Sequence, residues 1–401
     1  AIPFNKKLRQ GVLGRYGINS RLRQQKSKWE SNPVAVIHCA SMGEFEHIKP
    51  FIWELKNEKP ELCLIVLFFS PSGYEQIKQF KAVDVFLYAP FDWIWPLWHF
   101  MKKVKPKIWI IAKHDVWPNQ VWLARYFKIP LLLINASLHE QSRRLSFLNR
   151  WFQSSIYRQF NRILTISTAD RRQFLKLVGR AKLEVAGDTK FDQVAFRRRE
   201  ALQNPLLPEQ VTKGRWVLVA GSTWPEDQQH LIPAIHEIRK EFPNFLAVIC
   251  PHEPTDQHLQ EIALEMGQNE TLLFSELENF RNHSAIIVDR MGILANLYSA
   301  GNAAYVGGSF RQNVHNVLEP AVYGIPVLLG PVNQNSHEAQ LLKLAGGAFE
   351  VHQKEEIVNL LNKFLINDIY RQEAGMRARQ VVKKNSGATL RTLKAVLELI
   401  R

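Results

Sequence analysis

The stretch that decides the fold is VAVIHCASMGEFEHIKPF, residues 34–51. Its apolar start, Val34–Ile37, predicts a buried strand. The small residues from Ala40 to Gly43 then predict a tight turn, and the residues from Glu44 onward predict a helix. A strand, a glycine-containing turn and a helix in this order form the unit from which parallel α/β sheets are built.

Similar apolar runs recur along the chain. They lie at Leu62–Phe69, Ile108–Ala112, Leu131–Ile134, Ile163–Ile166, Trp216–Ala220, Leu246–Ile249, Ala285–Val288, Ala303–Val306 and Pro326–Leu329. Stretches with helical spacing, such as 226–240 and 256–266, separate most of them. Continuous apolar strands that alternate with helices indicate parallel sheets covered on both faces. We therefore predict an α/β fold with two doubly wound, Rossmann-like halves and a cleft between them, towards which the strand carboxyl ends point.

A chain of 401 residues is too long for one ordinary core. The series of strands is interrupted at 193–214, a charged segment with two prolines. This segment is the best candidate for a linker between domains at 1–200 and 201–401. The residues from about 369 to 401 have helical character, and we expect the final helix to pack back on the first domain.

The net charge of +15 requires a partner with negative charge, such as nucleic acid, an anionic membrane or a phosphorylated substrate. The excess is concentrated early, in Lys6, Lys7, Arg9, Arg15, Arg21, Arg23, Lys26 and Lys28. The segment FDWIWPLWHFMKKVKPK, residues 91–107, places aromatic residues beside bases. That combination suits a membrane interface or single-stranded nucleic acid. For any one cluster, a solvated basic face over core tryptophans remains the alternative.

Several function classes are disfavoured by what the sequence lacks. Three widely spaced cysteines form neither a disulfide framework nor a metal cluster, which fits a reducing compartment. There is no dinucleotide-binding, P-loop, zinc-protease or esterase motif, no secretory signal and no apolar run long enough to span a bilayer. An Asp-x-Asp pair, which often holds a metal on a nucleotide diphosphate, is also absent. We therefore expect neither a metal nor a cofactor, and a leaving anion stabilised by dipoles and cations of the protein.

The second half has three places suited to hold an anion. In VLVAGSTWPED, residues 217–227, Thr223 and Glu226 have capping-box spacing around Pro225, so free helix amides are expected there. In VDRMGIL, residues 288–294, a strand ends in a glycine turn. In YVGGSFRQNVHNVLEPAVYGIPVLLGP, residues 305–331, Gly307 and Gly308 end a strand.

A short helix is expected to start near His315 in the last of these segments. Asn316 and Glu319 would then lie at i and i+3, and His315 would share their face. Pro320 is tolerated there if Glu319 lies in the first turn. A capped helix with surface polar groups is the simpler interpretation; the Gly-Gly loop and three polar residues on one face favour a sugar-hydroxyl site.

Glu44 also has two interpretations. A glutamate in a first helical turn complements the helix dipole and caps free amides. The same carboxylate, at a strand end beside a glycine turn, is also placed to act as a catalytic base. On the residues 34–51 alone, capping is the favoured interpretation.

Taken in order, the segments resemble the 3-deoxy-D-manno-octulosonic acid (Kdo) transferases of lipopolysaccharide synthesis, which have the GT-B fold. The matching segments span nearly the whole chain: ASMGEF (40–45), SPSGYE (70–75), APFDWIWPLWHFMKK (89–103), DVWPN (115–119), INASLHEQS (134–142), GDTKFD (187–192), AGSTWPED (220–227), DRMGIL (289–294) and HNVLEPAVYGIPVLLGP (315–331). Each segment is weak evidence by itself, whereas the ordered set is specific.

The resemblance implies inverting, metal-independent transfer of Kdo from CMP-Kdo to a lipid A precursor. It implies that Glu44 is the general base and that Asp115 and Lys190 assist in the transition state. The implied nucleotide-binding residues are Ser222, Pro251, His252, Met291, Gly292, Ile293, Asn316 and Glu319.

The sequence departs from the family pattern in three places. The usual Pro-Arg-His reads Pro251-His252-Glu253, so a histidine stands where a phosphate-binding arginine is expected. A glycine pair before His-Asn is replaced by Asn313-Val314, and Lys113 stands where many members carry a second acid near Asp115. These departures affect individual contacts and fit a divergent branch.

The expected partners are CMP-Kdo, a lipid A precursor and an anionic membrane surface, and no nucleic acid. We expect location at the cytoplasmic face of the bacterial inner membrane, either peripherally or through an anchor preceding Ala1. Two other classes stay open. A nucleotide-sugar epimerase can share the fold but does not need the basic, tryptophan-rich flank. A nucleic-acid-binding protein would explain the charge but not the glycine turns.

Overall fold

The computed structural model describes residues 6–77, 79–113 and 115–400. These residues form two compact units. The first comprises the described residues up to Gln193 together with those from Asn385 onward, and the second is Val194–Lys384.

The first unit contains a parallel sheet. Its strands are β1 (Val34–Cys39), β2 (Cys63–Phe68), β3 (Val85–Tyr88), β4 (Ile108–Ala112), β5 (Leu131–Ala136), β6 (Arg162–Thr165) and β7 (Leu183–Val185). They lie in the order β3-β2-β1-β4-β5-β6-β7. Successive residues of β1 enter opposite cores: Val36 packs in the cluster that holds Trp109, and Ile37 in the cluster that holds Phe45. The prediction of strands buried on both faces is therefore confirmed for this unit.

The second unit repeats this architecture. Its strands are β8 (Trp216–Thr223), β9 (Phe245–Pro251), β10 (Thr271–Leu273), β11 (Ala285–Ile287), β12 (Ala303–Val306), β13 (Val327–Leu329) and β14 (Ala348–Glu350). They lie in the order β10-β11-β9-β8-β12-β13-β14, and all pairs are parallel. The two units together confirm the predicted α/β class with two doubly wound sheets.

The helices follow the strands in chain order. They are α1 (Lys6–Tyr16), α2 (Ile18–Gln24), α3 (Lys26–Trp29), α4 (Met42–Glu58), α5 (Pro71–Gln76), α6 (Ile94–Val104), α7 (Pro118–Tyr126), α8 (Phe147–Tyr157), α9 (Thr168–Phe174), α10 (Thr189–Gln203), α11 (Glu209–Thr212), α12 (Pro225–Glu241), α13 (Asp256–Met266), α14 (Leu294–Leu297), α15 (Leu318–Ala321), α16 (His337–Leu344), α17 (Lys354–Ile366), α18 (Asp368–Asn385) and α19 (Ala388–Leu399). Among the described residues, no helix combines the length and the apolarity needed to cross a bilayer.

The segment expected to be a linker, 193–214, is largely helical. Helix α10 covers it up to Gln203, and α11 follows after a short loop. The chain returns to the first unit at α19, where Ala395 and Val396 enter the core that contains Ile37. The Asp192 carboxylate accepts hydrogen bonds from the first amides of this returning segment, including Gly387 N at 2.7 Å.

Arg15 corrects one part of the charge analysis. It was grouped with the bases expected to face an anionic partner, but its side chain is buried. Its guanidinium donates to Ala89 O at 3.0 Å and to Phe69 O at 2.5 Å, and it lies 5.0 Å from the centre of the Phe91 ring. This base therefore holds α1 against the loops after β2 and β3. The side chains of Lys6 and Lys7 lie outside the described residues.

Candidate active site

Glu44 lies at the carboxyl edge of the first sheet, in the first turn of α4. Ser41 caps this helix by accepting a hydrogen bond from Glu44 N at 3.4 Å. The Glu44 carboxylate accepts a hydrogen bond from Ala40 N through Oε2 at 2.5 Å. The side chain is 7% exposed, and burial raises the pKa of its carboxyl. The geometry thus supports both interpretations of Glu44. Its Oε2 binds a free backbone amide, as a capping residue does, and the raised pKa of its carboxyl suits a general base.

The segment after β4 places two charged groups near Glu44, and His38 of β1 adds a third polar group. Asp115 raises the pKa of Glu44, whereas Lys113 and His38 lower it. Lys113 has a left-handed backbone with φ of 59°, and its amide donates to Ile134 O at 2.8 Å. A carboxylate beside a cation and a second carboxylate is suited to accept a proton near neutral pH.

Lys190 lies in the first turn of α10, after β7 at the same carboxyl edge. Its amide donates to Asp188 Oδ1 at 2.9 Å, and its Nζ lies 4.0 Å from Asp188 Oδ2. The start of α10 is fixed by buried Asn135, which donates to Thr189 Oγ1 at 2.5 Å. Glu44 and Asp115 are therefore close enough to interact electrostatically, while Lys190 is held by a separate set of contacts.

The carboxyl edge of the second sheet is organised by Asp227, which is fully buried. Its carboxylate accepts hydrogen bonds from Trp224 N at 2.9 Å, Gly308 N at 2.9 Å and the Tyr305 hydroxyl at 2.8 Å. The predicted capping box between Thr223 and Glu226 is wrong by one residue. Thr223 ends β8, so the helix cap falls on Trp224, and Asp227 supplies the carboxylate.

Two glycines allow the loops of this edge to approach each other. A Cβ on Gly307 would lie 2.4 Å from Ser222 O, and Gly308 has a left-handed φ of 94°. Ser222 itself has a φ of 53°, which is uncommon for a residue with a side chain. The predicted nucleotide-binding residue Ser222 thus lies at a strained irregularity near the end of β8, packed against the loop after β12.

Three aromatic rings, those of Trp224, His252 and His315, pack together at this sheet edge. The His252 ring lies 4.5 Å from the rings of both Trp224 and His315, and Trp224 Nε1 donates to His315 Nε2 at 3.1 Å. Burial, with a smaller effect of His252, lowers the pKa of His315. The Arg311 guanidinium lies 4.0 Å from the centre of the Trp224 ring. The Trp224 ring therefore contacts both the Arg311 cation and His252, the position where the sequence lacks the expected arginine.

The expected helix at His315 starts later, because α15 begins at Leu318. Asn316 precedes it and accepts a hydrogen bond from Leu318 N at 3.2 Å. The Asn316 amide donates to Glu319 Oε1 at 3.2 Å, so these two side chains meet as expected. His315 faces Trp224 and His252 instead, and Arg197 of α10 lies 3.3 Å from Glu319 Oε1.

The remaining predicted nucleotide-binding residues also lie at strand ends. Pro251 is the last residue of β9 and is buried. Met291 is 77% exposed, Gly292 has a left-handed φ of 84°, and Ile293 directly precedes α14. The left-handed conformation explains the glycine in this turn.

Sequence reasoning did not select four residues that the structure places at the two edges. They are His38, Lys113, Asp227 and Arg311. His38 was visible as a polar residue inside an apolar strand, and Asp227 as the second acid of WPED. The positions of Lys113 and Arg311 depend on which loops meet, and no local pattern reports that.

Two parallel Rossmann-like sheets, with the candidate residues at their carboxyl edges, define the fold as GT-B. Known structures agree on this fold. The UDP-GlcNAc 2-epimerase of Neisseria meningitidis has a TM-score of 0.62 at 16% identity, with 92% of this chain and 99% of that chain covered. The MurG of Acinetobacter baumannii has a TM-score of 0.54 at 15% identity, with the same coverage.

Sequence comparisons show which family this chain is similar to. Residues 12–193 match the family model of 3-deoxy-D-manno-octulosonic-acid transferase (kdotransferase). The 3-deoxy-D-manno-octulosonic acid transferase of Aquifex aeolicus is 28% identical, with 82% of this chain and 85% of that protein covered. The transferase of the same name from Haemophilus influenzae is 26% identical, with 89% and 85% covered. The resemblance seen in the sequence is confirmed: over more than four fifths of its length, this chain is similar to glycosyltransferases of the Kdo transferase family.

Proposed function

We propose that this enzyme moves Kdo from CMP-Kdo to a lipid A precursor in lipopolysaccharide biosynthesis, with inversion and without a metal ion. The observation that carries the proposal is the Glu44 carboxylate. It is largely buried at the start of α4, hydrogen-bonded through Oε2 to Ala40 N, and raised in pKa. The other oxygen, Oε1, serves the substrate in this proposal.

In the proposed reaction, a hydroxyl of the acceptor attacks the anomeric carbon of Kdo while the bond to the CMP phosphate breaks. Glu44 takes the proton of the attacking hydroxyl, and CMP leaves as an anion. Lys113 lowers the Glu44 pKa against the effect of burial and so increases its ionised fraction. Asp115 and Lys190 assist in the transition state.

The donor binds the second unit in this proposal. Asn316 and Glu319, already joined by a hydrogen bond, are suited to the ribose hydroxyls. The turn formed by Met291, Gly292 and Ile293 contacts the cytosine base of the donor. The phosphate of the donor is contacted by Ser222, Pro251 and His252.

Arg311 supplies the full positive charge for that phosphate, because the His315 pKa is lowered and this ring stays neutral. The Nε2 of His315 accepts from Trp224, so its proton lies on Nδ1. Cationic and amide donors of the protein thus stabilise the departing nucleotide, which is why the proposal needs no metal.

An exposed apolar surface in the first unit supports action at a membrane. We define the α7–α8 patch as Trp122, Phe147, Leu148, Trp151 and Phe152. Phe147, Leu148 and Trp151 are 94%, 88% and 80% exposed, and the Trp122 and Phe152 rings lie 6.3 Å apart. Large exposed apolar groups of this kind mark interaction surfaces, and aromatic residues beside bases suit lipid headgroups.

The order of the elements along the first sheet supports this proposal. Helix α8 begins after the carboxyl end of β5, at the same sheet edge as Glu44. The start of α6, which follows β3 at that edge, exposes Trp93, Ile94 and Trp95. Exposed Arg143 lies between β5 and α8. The residues that would contact lipid and the residue that would activate its hydroxyl therefore share one edge, as a lipid-linked acceptor requires.

Release of CMP from CMP-Kdo, with and without a lipid A precursor, tests the proposed reaction. We expect release that depends on the acceptor and a product that contains the added Kdo by mass spectrometry. The rate should not change in EDTA. Release without acceptor, or activity lost in EDTA and restored by magnesium, would contradict the proposal.

Vesicle binding tests the membrane part. Trp151→Ser should weaken binding to anionic vesicles, whereas Leu344→Ser, which changes an 87% exposed leucine of the second unit, should not. Binding should also weaken with salt as the Debye length falls below about 8 Å. Equal binding of both variants would exclude the α7–α8 patch as the contact.

A further inference from the structure

His38 is a polar residue placed in the middle of an apolar sheet. It belongs to β1, where it pairs with Leu67 of β2 and Ile111 of β4, and its side chain is fully buried. Burying an imidazole is unfavourable unless its nitrogens are hydrogen-bonded. An aliphatic residue would fill this strand position without that penalty, so the contacts of the ring should explain its presence.

One ring nitrogen is paired, and the other is not. Nε2 lies 2.9 Å from Asp115 Oδ2. Nδ1 is buried and has no hydrogen-bond partner among the residues that the structure describes. A neutral imidazole has one N–H donor and one bare nitrogen, whereas an imidazolium has two donors. The pairing therefore assigns the proton to Nε2 and the bare lone pair to Nδ1, since the reverse would bury an N–H without an acceptor.

This tautomer makes His38 a donor to Asp115. The Asp115 side chain is 23% exposed, so it is partly accessible to solvent. Asp92 holds the start of α7, which follows Asp115 in the chain, by accepting hydrogen bonds from Asn119 N at 3.1 Å and Gln120 N at 2.9 Å. His38 thus fixes Asp115 itself, and Asp92 fixes the helix that follows it.

We propose that His38 is a positioning residue for the transfer reaction: its Nε2–H holds the Asp115 carboxylate in one orientation beside Glu44. The inference rests on the proposed function, because it concerns the same reaction. The charge of Asp115 bears on Glu44, so a carboxylate free to rotate away would change both the basicity of Glu44 and the contact with the acceptor. The charged groups near the ring are Asp115, Glu44 and Asp92, and Lys113 lies near Glu44.

Two substitutions separate positioning from packing. His38→Gln keeps an N–H donor at similar reach, whereas His38→Leu fills the space without a donor. We expect His38→Leu to lower kcat roughly 10- to 150-fold, the equivalent of one hydrogen bond to a charged group, with the KM for CMP-Kdo nearly unchanged. His38→Gln should keep most of the activity. Val36→Ala, two residues earlier on the same face of β1, should lower thermal stability without lowering kcat at a temperature well below its Tm.

A double variant tests whether His38 acts through Asp115. If it does, adding His38→Leu to Asp115→Asn should cause little further loss of kcat. The acid limb of the kcat/KM profile should also shift in His38→Leu and stay in place in Val36→Ala. Unchanged kcat in His38→Leu, or a multiplicative loss in the double variant, would overturn the inference. Neither result would affect the proposed function, which fails only if the parent enzyme shows no acceptor-dependent transfer.

Discussion

Glu44 and Asp227 occupy the same place in the two units. Each is the third residue of a 17-residue helix that follows the first strand of its unit, and each helix carries a proline eight residues after its start, Pro50 and Pro233. Their surroundings differ. Asp227 accepts three hydrogen bonds and is 0% exposed, whereas the Glu44 carboxylate accepts from Ala40 N and is 7% exposed. An acid at a helix start is therefore structural or chemically available according to how many donors surround it.

The largest expected effect concerns Glu44. Glu44→Gln keeps the size and the acceptor for Ala40 N but removes the base, so turnover should fall roughly 100- to 10,000-fold. Affinity for CMP should hardly change, because the proposed nucleotide site lies in the other unit. Single-turnover rates and calorimetric titration of CMP measure the two quantities. Near-normal turnover of Glu44→Gln would show that Glu44 is not the general base.

Asp227→Asn should act on stability instead. Its amide cannot accept from all three donors, and a hydrogen bond to a charged group contributes about 1.5–3 kcal/mol. We expect a loss of about 2–4 kcal/mol in the free energy of unfolding, measured by denaturant titration. The neighbouring Glu226→Gln, whose side chain is 43% exposed, should stay within about 0.5 kcal/mol of the parent. If Asp227→Asn is as stable as the parent, the structural role that distinguishes Asp227 from Glu44 is wrong.

Glu319→Ala tests the binding role of the second unit. The variant loses a charged acceptor for ribose hydroxyls, so CMP should bind roughly 10- to 150-fold more weakly. Because Glu319 also pairs with Arg197, a melting curve must show that the fold is intact. If the variant binds CMP as tightly as the parent does, Glu319 has only a structural role.

Arg311→Met tests the cation that lies over the Trp224 ring. We expect CMP to bind about 5-fold more weakly, equivalent to about 1 kcal/mol for a partly exposed charge. Cytidine, which lacks the phosphate, should bind both proteins equally. An equal loss for CMP and cytidine would show that Arg311 supports the Trp224 ring rather than the phosphate.

The smallest expected effect is the pH dependence of stability. Burial raises the pKa of Glu44 in the folded state above its usual value of 4.5. The stability associated with this raised pKa is present below the unfolded value and is lost as pH rises through the folded value. Glu44→Gln does not titrate, so its Tm relative to the parent should increase between about pH 4 and pH 8. A constant Tm difference across this range would contradict the raised pKa.

The edge strands of both sheets are the strands that the sequence pattern did not predict. The predicted strands lie in the interiors of the two sheets, and the four that were not predicted, β3, β7, β10 and β14, are the outermost strands. They have three or four residues, and each includes positions that are not fully buried. Interior strands need apolar residues on both faces and are therefore visible as continuous runs, whereas short edge strands do not need them.

The sequence by itself determined the α/β class, the buried interior strands, the helical stretches 226–240 and 256–266, and the resemblance to Kdo transferases. Each of these depends on local periodicity or on the order of short motifs. Only the tertiary structure decided that Arg15 is buried, that His38 pairs with Asp115, and that Gly308 N and the Tyr305 hydroxyl converge on Asp227. These partners lie 77, 81 and 78 residues apart in the chain. Strand order brings them together, and the pattern around each residue does not encode strand order.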